Sequence, residues 1–400
     1  MRFSKRVIQQ RNHGNLRVEF AHQDITSYSG LELFRRYVRL IDLHRRVQRS
    51  FRDQHLSGDY GLFSMMLVFF VLWLTGGRRL SHVGWISGDP LVERICALKN
   101  LPSDRSLSRW LAQFTHDSLQ CLITLNSELV LEKMKDLDLP RITLDFDGTV
   151  VSCGDSVEGA ARGYNPHNRH AKSYYPLLCH IAQTGHFLYV HHRPGNIHDS
   201  QGGALEIIQK CVTLLKQTIP GVVIEVRLDA AFFIEEIVRF LLQSRIDFAV
   251  KAPMWSGPYF KGMIQKRKRW RRASRKISWF EETIFFPKWK IDLHLVFYRI
   301  QRSEKGIKKT FQLDLFSPND ALYEYQILCT NKTLAAKNLL DFYNGRCGIE
   351  RQIAELKGQF AFDAIPTQNQ KANEAHHQLS AMGYNLVRNF QTPQHVFHDA

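Results

Sequence analysis

Residues 140–252 constrain the fold most, because strand-like and helix-like runs alternate along them. Short apolar or period-two runs predict strands, whereas a period of about 3.6 residues predicts helices. On these grounds we predict three strands, then a helix, a strand, a helix and a short strand. The predicted strands are residues 142–151, 174–181, 186–192, 222–228 and 248–250, and the predicted helices are 203–215 and 231–242. This alternation predicts an α/β fold.

Three further segments flank that stretch. Residues 1–135 are helix-patterned and rich in Arg and His, whereas residues 253–330 are β-rich, with strands predicted at KIDLHLVFYRI, FQLDLF and YEYQILC. Residues 331–400 contain a predicted helix over 333–360 and a last helix in ANEAHHQLSAMGYNLVRNF. Two glycines inside the first of these helices each cost about 1 kcal/mol against Ala, so tertiary packing must stabilise it. We therefore divide the chain into 1–135, 136–252, 253–330 and 331–400.

Four residues of the segment DFYNGRCGIERQIAELKGQF share one helical face. At about 100° per residue, Tyr343, Arg346, Glu350 and Lys357 fall within an arc of about 60°. A carboxylate flanked by two cations and a phenol suits a metal-bound group beside a nucleic-acid backbone. The alternative is a solvated face with Glu/Lys/Arg pairs. The spacing of all four, together with the aspartates described next, favours the functional interpretation.

Carboxylates on separate elements supply a second signal. Asp145 and Asp147 lie on the first predicted strand, and Asp229 ends the strand predicted at 222–228. Phosphodiester chemistry uses two metal ions roughly 3.5–4 Å apart, and Mg²⁺ prefers carboxylate oxygens. Because side chains alternate along a strand, Asp145 and Asp147 share one face. The aspartates and Glu350 are therefore candidate metal ligands.

These motifs resemble the DDE transposases of bacterial insertion sequences. The spacing Tyr343, Arg346, Glu350, Lys357 is that superfamily's Y-R-E-K signature, and TLDFDGTVVSCGDSVEGAARGYNPHNRHAKSYYPLL and RLDAAF resemble its two aspartate regions, with RPGNIHDSQGG between them. The resemblance runs from about residue 140 to 390. It implies a ribonuclease H-like catalytic core, begun in 136–252, interrupted by a β-rich insertion in 253–330 and completed in 331–400, behind a helical N-terminal DNA-binding region.

The resemblance also implies roles for individual residues. The family places its first catalytic residue directly before Gly-Thr or a similar pair, so Asp147 would be catalytic and Asp145 supporting. Asp147, Asp229 and Glu350 would hold two Mg²⁺ or Mn²⁺ ions. These residues would catalyse hydrolysis at the ends of the element and transfer of the 3′-OH strand into target DNA. The implied partners are terminal inverted repeats and target DNA, bound by a homodimer in the synaptic complex.

The three remaining signature residues would contact DNA. The resemblance implies that Arg346 and Lys357 hold DNA phosphates near the site, and that Tyr343 contacts the backbone or a displaced base. Three other carboxylates near these elements are interpreted as loop or cap residues whose role the resemblance leaves open. They are Asp155, Glu158 and Asp199.

Charge points to the same partner. The net charge is +16 and the isoelectric point is near 9.6, which favours a polyanionic partner. KGMIQKRKRWRRASRK would supply phosphate contacts that ignore sequence, or it is a solvated loop. The helix predicted in LPSDRSLSRWLAQF would be a recognition helix, or an ordinary core-packing helix. The candidate DNA-binding residues are Lys266, Arg267, Lys268, Arg269, Arg271, Arg272, Arg105 and Arg109.

Two rival functions use the same residues. Asp145-Phe-Asp147-Gly-Thr149 resembles the motif of haloacid dehalogenase-like phosphatases, in which the first Asp is the nucleophile and the second an acid/base. Against it, the motif follows about 140 residues, and no later Gly-Asp-x-x-x-Asp pattern appears. The Y-R-E-K spacing also has no place in that family. The second rival is a catalytically dead relic of an insertion element, which would bind DNA without nicking it.

The remaining features set the cellular setting. Seven scattered cysteines predict reduced thiols without disulfides, and the apolar run at 67–74 is too short to cross a bilayer, so it predicts a buried helix. We expect a cytoplasmic, nucleoid-associated bacterial protein without a membrane partner. The histidines cluster without ligand spacing, so we predict no structural zinc. They are His167, His170, His191, His192 and His198.

Overall fold

The computed structural model describes residues 26–56, 58–163, 168, 170–254, 260–302 and 322–392. The strand predicted at FQLDLF and the histidine at position 167 lie outside these residues, and what was predicted for them stays a prediction. The described elements are numbered below in chain order.

Helices form the described part of the N-terminal region. They are α1 (Leu31–Leu40), α2 (Leu43–Ser50), α3 (Leu62–Leu74), α4 (Val83–Ile86), α5 (Pro90–Cys96), α6 (Asp104–Leu111) and α7 (His116–Asp136). Every residue from 65 to 73 of α3 is buried, so the apolar run is a core helix as predicted. Within the described residues, no helix has the length and apolar character needed to span a membrane.

A large mixed sheet forms the centre of the molecule. The described strands are β1 (Arg141–Gly148), β2 (Val151–Ser152), β3 (Ala161–Arg162), β4 (Lys172–Tyr174), β5 (Leu177–Ile181), β6 (Phe187–His191), β7 (Val223–Leu228), β8 (Asp247–Ala252), β9 (Arg271–Arg272), β10 (Ile277–Phe286), β11 (Ile291–Gln301) and β12 (Tyr323–Thr330). Nine of these described strands share one sheet, in the order β6-β5-β1-β7-β8-β12-β11-β10-β9, and β2-β4-β3 form a small second sheet.

Strand β1 lies inside the large sheet and has a different partner on each side. It is antiparallel to β5 and parallel to β7, and β7 is parallel to β8. Strand β12 then pairs antiparallel with β8, and β11 and β10 continue outward from it. The β-rich segment therefore extends the same sheet. Strand β10, which the sequence analysis did not predict, pairs with β11 along its whole length.

The later helices pack on the sheet and on the N-terminal helices. They are α8 (Ala204–Thr218), α9 (Glu235–Gln243), α10 (Phe260–Lys266), α11 (Ala336–Asn344), α12 (Gly348–Phe360) and α13 (Gln370–Gln391). The single helix predicted over 333–360 was wrong in one respect, because α11 and α12 are joined by a 3₁₀ turn, Gly345–Cys347. The last helix was predicted correctly.

One apolar core joins the N-terminal helices to α12, α13 and strand β6. A buried amide network fixes this junction. Asn385 accepts a hydrogen bond from the Phe187 amide at 2.9 Å, and it donates to the Phe187 carbonyl and to Asn126 Oδ1, both at 2.8 Å. Because these amides are hydrogen-bonded to β6 and to each other, α7 and α13 are held in a fixed position against the sheet.

Candidate active site

Paired polar side chains run along one face of β1 and β7. The register sets Thr143 opposite Glu225 and Asp145 opposite Arg227. Thr143 Oγ1 donates to Glu225 Oε2 at 2.7 Å, and Lys332 Nζ lies 2.6 Å from Glu225 Oε1. Each buried acid in these two layers therefore has a donor or a cation beside it, as burial of charge requires.

Asp145 is the most completely neutralised of these acids. Its side chain is fully buried, and Arg227 donates to both of its oxygens at 2.7 Å, a bidentate geometry. His180 Nδ1 lies 3.6 Å from the same carboxylate. Arg227 also donates to the Phe342 carbonyl at 2.7 Å, so the pair ties β1 and β7 to the end of α11. A carboxylate enclosed in this way has no free oxygen for a substrate.

The next layer, at the strand ends, differs because both opposing residues are acids. Asp147 belongs to the end of β1, and Asp229 follows β7 directly. Arg346, from the turn between α11 and α12, lies between them. Its Nη2 is 3.1 Å from Asp147 Oδ1 and 3.6 Å from Asp229 Oδ2. The other oxygen of Asp229 accepts a hydrogen bond from the Ala231 amide at 2.9 Å, which orients Oδ2 toward the arginine.

Charge in this layer is only partly compensated. Burial raises the pKa of Asp147 to about 7. Arg346 opposes that rise, whereas the charges of Asp229, Asp199 and Glu350 add to it. Burial alone would lower the pKa of Arg346, but the charges of Asp147 and Asp229 outweigh it and raise that pKa. The carboxylates therefore form one electrostatic unit that favours a further cation.

The signature residues do not share one exposed stripe. Tyr343 lies on α11 and is 8% exposed, in an apolar cluster with Leu339 and Leu340, and Arg346 is equally buried. Glu350 is exposed in the first turn of α12. Lys357 is half-buried, and its Nζ donates to the Val150 carbonyl at 2.7 Å, three residues beyond Asp147.

Asp199 is a neighbour of the site that the sequence analysis set aside as a loop or cap residue. Its Oδ2 accepts a hydrogen bond from the Tyr175 hydroxyl at 2.9 Å, and Arg193 Nη2 lies 3.5 Å from its Oδ1. Burial and the charge of Asp229 raise its pKa, although Tyr175 and Arg193 oppose the rise. The signal that pointed here was the motif RPGNIHDSQGG, which contains the residue but has no periodicity.

The donor chemistry suits a divalent cation. Carboxylate oxygens are the ligands that Mg²⁺ and Mn²⁺ prefer. Within the described residues, no three His, Cys, Asp or Glu side chains stand close enough to hold a metal ion together. Asp147 and Asp229 are nevertheless adjacent through Arg346, and the raised pKa of Asp147 reflects negative charge that a divalent ion would offset.

Comparison with known families decides the class of protein. The sequence model of the family described as "Transposase DDE domain group 1" matches residues 8–396. The chain belongs to this family of DDE transposases. It is a DNA transposase, with nuclease and strand-transfer activity, and neither the phosphatase nor the inactive relic is favoured.

One solved structure similar to this transposase is the piggyBac transposase synaptic complex with hairpin DNA, determined by cryo-EM. The TM-score is 0.46 and the sequence identity 11%, over 87% of this chain and 71% of that chain. A search of curated proteins finds no match.

The basic run of the transposase divides into paired and unpaired cations. Arg267 lies 2.9 Å from Glu282 and over the Phe280 ring, and Arg271 lies 3.2 Å from Glu281. Trp270 packs edge-on against Phe280 and donates to a main-chain carbonyl, so its ring is part of the protein interior. The side chains of the other cations at the start of the run pair with no other residue in the described ranges. They are Lys266, Lys268 and Arg269. Arg272, which is exposed, donates to the Ser274 carbonyl.

The two arginines of α6 face separate clefts. The helix begins after Ser103, whose hydroxyl accepts from the Ser106 amide at 3.2 Å, as predicted. Arg105 is exposed and lines a cleft of roughly 520 Å³ together with Arg78 and Arg79. Arg109 lines a smaller cleft of roughly 140 Å³.

Proposed function

We propose that this transposase cuts DNA at the ends of its element and joins the freed 3′-OH to target DNA, with Asp147, Asp229 and Glu350 as the catalytic carboxylates. The adjacency of Asp147 and Asp229, which are far apart in sequence, carries the proposal. Glu350 stands in the first turn of α12, directly after the turn that contains Arg346, and its charge acts on Asp147.

We further propose that the sheet centre is a ribonuclease H-like core. The supporting observation is the connectivity. Three antiparallel strands (β1, β5 and β6) are followed by a helix, a strand parallel to β1, a helix and a second parallel strand. Such cores collect acidic residues at strand ends, and Asp147 and Asp229 occupy that position here. Residues 253–330 would be the insertion, and residues 331–400 would complete the core.

Two Mg²⁺ or Mn²⁺ ions would be held by Asp147, Asp229 and Glu350. When bound, they would supply Lewis-acid stabilisation of the attacking and leaving oxygens of the phosphodiester. The protein's own contribution is to orient the ligands. Arg346 fixes the two aspartates relative to each other, and the Ala231 amide fixes the rotamer of Asp229. Tyr343 packs beneath the turn and so positions Arg346.

Lys357 is proposed to bind a DNA phosphate beside the scissile bond. The Val150 carbonyl holds its ammonium next to the Asp147 loop, and burial lowers its pKa while Asp363 and Asp147 oppose the change. An ammonium has three donors, so one carbonyl partner leaves two for a phosphate. Arg346 would take part in phosphate binding only after releasing an aspartate.

DNA is the proposed partner of the basic surfaces, as terminal inverted repeats and as target. The exposed cations of the basic run and Arg105 and Arg109 of the N-terminal region would contact phosphates. A homodimer would hold two ends in the synaptic complex, and the protein would act at the bacterial nucleoid in the cytoplasm.

A strand-joining assay tests the function. Linear DNA carrying the sequences that flank the gene is incubated with a supercoiled target plasmid, protein and Mg²⁺, and the joints are sequenced. The expected product joins a 3′ end of the element to the target, with short target duplications on repair. Intact DNA under both Mg²⁺ and Mn²⁺, with mobility shifts showing that the ends are bound, would instead identify a DNA-binding relic.

A further inference from the structure

We propose that Asp199 is a fourth carboxylate of the active site, and that it helps Asp147 and Asp229 to hold the divalent cation. This inference rests on the proposed function. It gives a role to the motif RPGNIHDSQGG, which the other catalytic assignments leave without one. Three observations carry it: the way the loop is fixed, the unfilled oxygen of its carboxylate, and the missing side chain opposite that oxygen.

A buried arginine fixes the loop that bears Asp199. Arg193 is 2% exposed, and its guanidinium donates to the carbonyls of Tyr175 and Gln201, both at 3.0 Å. Two longer bonds, of 3.4 and 3.3 Å, reach the carbonyls of His198 and Asp199. One guanidinium therefore ties the loop to the segment between β4 and β5. Ordering of this kind places a side chain reproducibly.

The two oxygens of Asp199 have different surroundings. Oδ2 accepts from the Tyr175 hydroxyl at 2.9 Å. Oδ1 is buried and accepts no hydrogen bond from the described residues, and Arg193 Nη2 lies 3.5 Å away from it. A buried carboxylate oxygen without a donor is unfavourable unless a cation or a donor reaches it. A loop staple would need only Oδ2, so the open Oδ1 points to a ligand.

Gly148 gives Oδ1 access to the catalytic strand. A Cβ at this position would overlap Asp199 Oδ1 and lie 2.6 Å from the Tyr175 ring. Gly148 directly follows Asp147, so Asp199 approaches the main chain beside the first catalytic carboxylate. The charge of Asp199 acts on Asp147, and that of Asp229 acts on Asp199, after burial as the largest influence on both. The three carboxylates therefore share one electrostatic site.

Mn²⁺ binding to the DNA-free, full-length protein tests the proposal without relying on catalysis. Asp199→Asn keeps the size of the side chain and an acceptor for Tyr175 but removes the charge. We expect Mn²⁺ affinity, measured by electron paramagnetic resonance titration, to fall about 10- to 100-fold. Asp155→Asn is the matched control, because Asp155 is 78% exposed and lies 3.5 Å from Arg162. The control should bind Mn²⁺ as the wild type does.

The outcomes separate this proposal from the proposed function. Wild-type Mn²⁺ affinity in Asp199→Asn, with weakened binding in Asp147→Asn and Asp229→Asn, would overturn the role of Asp199 alone. Unchanged affinity in all three variants would count against the metal-dependent function itself. If Asp199→Asn does not fold, Gly148→Ala displaces the carboxylate without removing its charge, and it should also weaken Mn²⁺ binding. Normal affinity in a folded Gly148→Ala protein would equally overturn the proposal.

Discussion

Arg227 donates to both carboxylate oxygens of Asp145 at 2.7 Å, inside the protein and across neighbouring parallel strands. The nucleophile of a phosphatase must present a free oxygen to its substrate, and neither oxygen of Asp145 is free. The same pair reaches the end of α11 through the Phe342 carbonyl. Asp145 therefore supports the turn that carries Arg346, and it does not take part in chemistry.

Breaking this pair should destabilise the protein. Asp145→Asn leaves the Arg227 guanidinium buried without its counter-ion, which typically costs about 3–5 kcal/mol. Denaturant unfolding, followed by far-ultraviolet circular dichroism, measures the loss. The double variant Asp145→Asn with Arg227→Gln removes both charges and should be less damaging than the sum of the single changes. Additive losses in the double variant would show that the two side chains are not coupled.

Acid should destabilise the fold through buried histidines of α13. His376 is 2% exposed, with the rings of Phe69 and Trp73 beside it. Burial, and then the charge of His377, lowers the pKa of His376 from 6.5 to about 3. The unfolded chain therefore binds a proton that the folded chain excludes. Stability from this residue is present above pH 6.5 and is lost progressively as the pH falls toward 3.

His376→Phe removes that proton linkage. Between pH 4 and 6, the dependence of the unfolding free energy on pH should become shallower by about 1.4 kcal/mol per pH unit. Chemical denaturation at several pH values measures this slope. His44→Phe, at an exposed position on α2, is the control. An unchanged slope in His376→Phe would mean that the imidazole is protonated in the folded state.

Much of this architecture could be predicted from sequence, because it follows from local patterning. The core strands are apolar runs bounded by polar residues, and the buried helix α3 is an almost uninterrupted apolar segment. Strand β10 escaped prediction since it follows directly on the basic run and places Glu281 and Glu282 in its centre. Those glutamates form ion pairs with arginines of the same run, a compensation that only the folded structure shows.

The candidate site was predicted in part. The spacing of the signature residues indicated their common role, but a continuous helix was assumed. The structure has a 3₁₀ turn there, and Gly345 shows why a small residue is needed, because a Cβ would overlap Arg227 Nη1. Asp199 was not assigned to the site because it lies in a loop. Loop positions carry no periodic signal, and a single guanidinium sets this one.

The pairing pattern within the basic run predicts which cations bind DNA. The triple variant Lys266→Gln, Lys268→Gln, Arg269→Gln removes cations whose side chains pair with no other described residue. Binding to any duplex should weaken, and the slope of log affinity against log salt should decrease by about 0.9 for each DNA phosphate that is no longer neutralised. Fluorescence anisotropy at a series of salt concentrations measures the slope on specific and unrelated DNA alike.

Arg267 and Arg271 provide the comparison within the same run. Neutralising these two should change the salt slope less, because each already faces a glutamate. It should instead lower the melting temperature, since Arg267 also covers the Phe280 ring. A salt slope that is unaffected by the triple variant would identify the run as a solvated surface.

Cleavage of end-labelled DNA by carboxylate variants tests the central claim most directly. Asp147→Asn, Asp229→Asn and Glu350→Gln are compared with the wild type on DNA from the gene's flanks, with binding measured on the same samples. We predict that each variant binds the ends normally and cleaves at least about 100-fold more slowly in Mg²⁺, since each removes a metal ligand. Asp155→Asn should cleave as the wild type does. Wild-type cleavage by Asp229→Asn or Glu350→Gln would contradict the account.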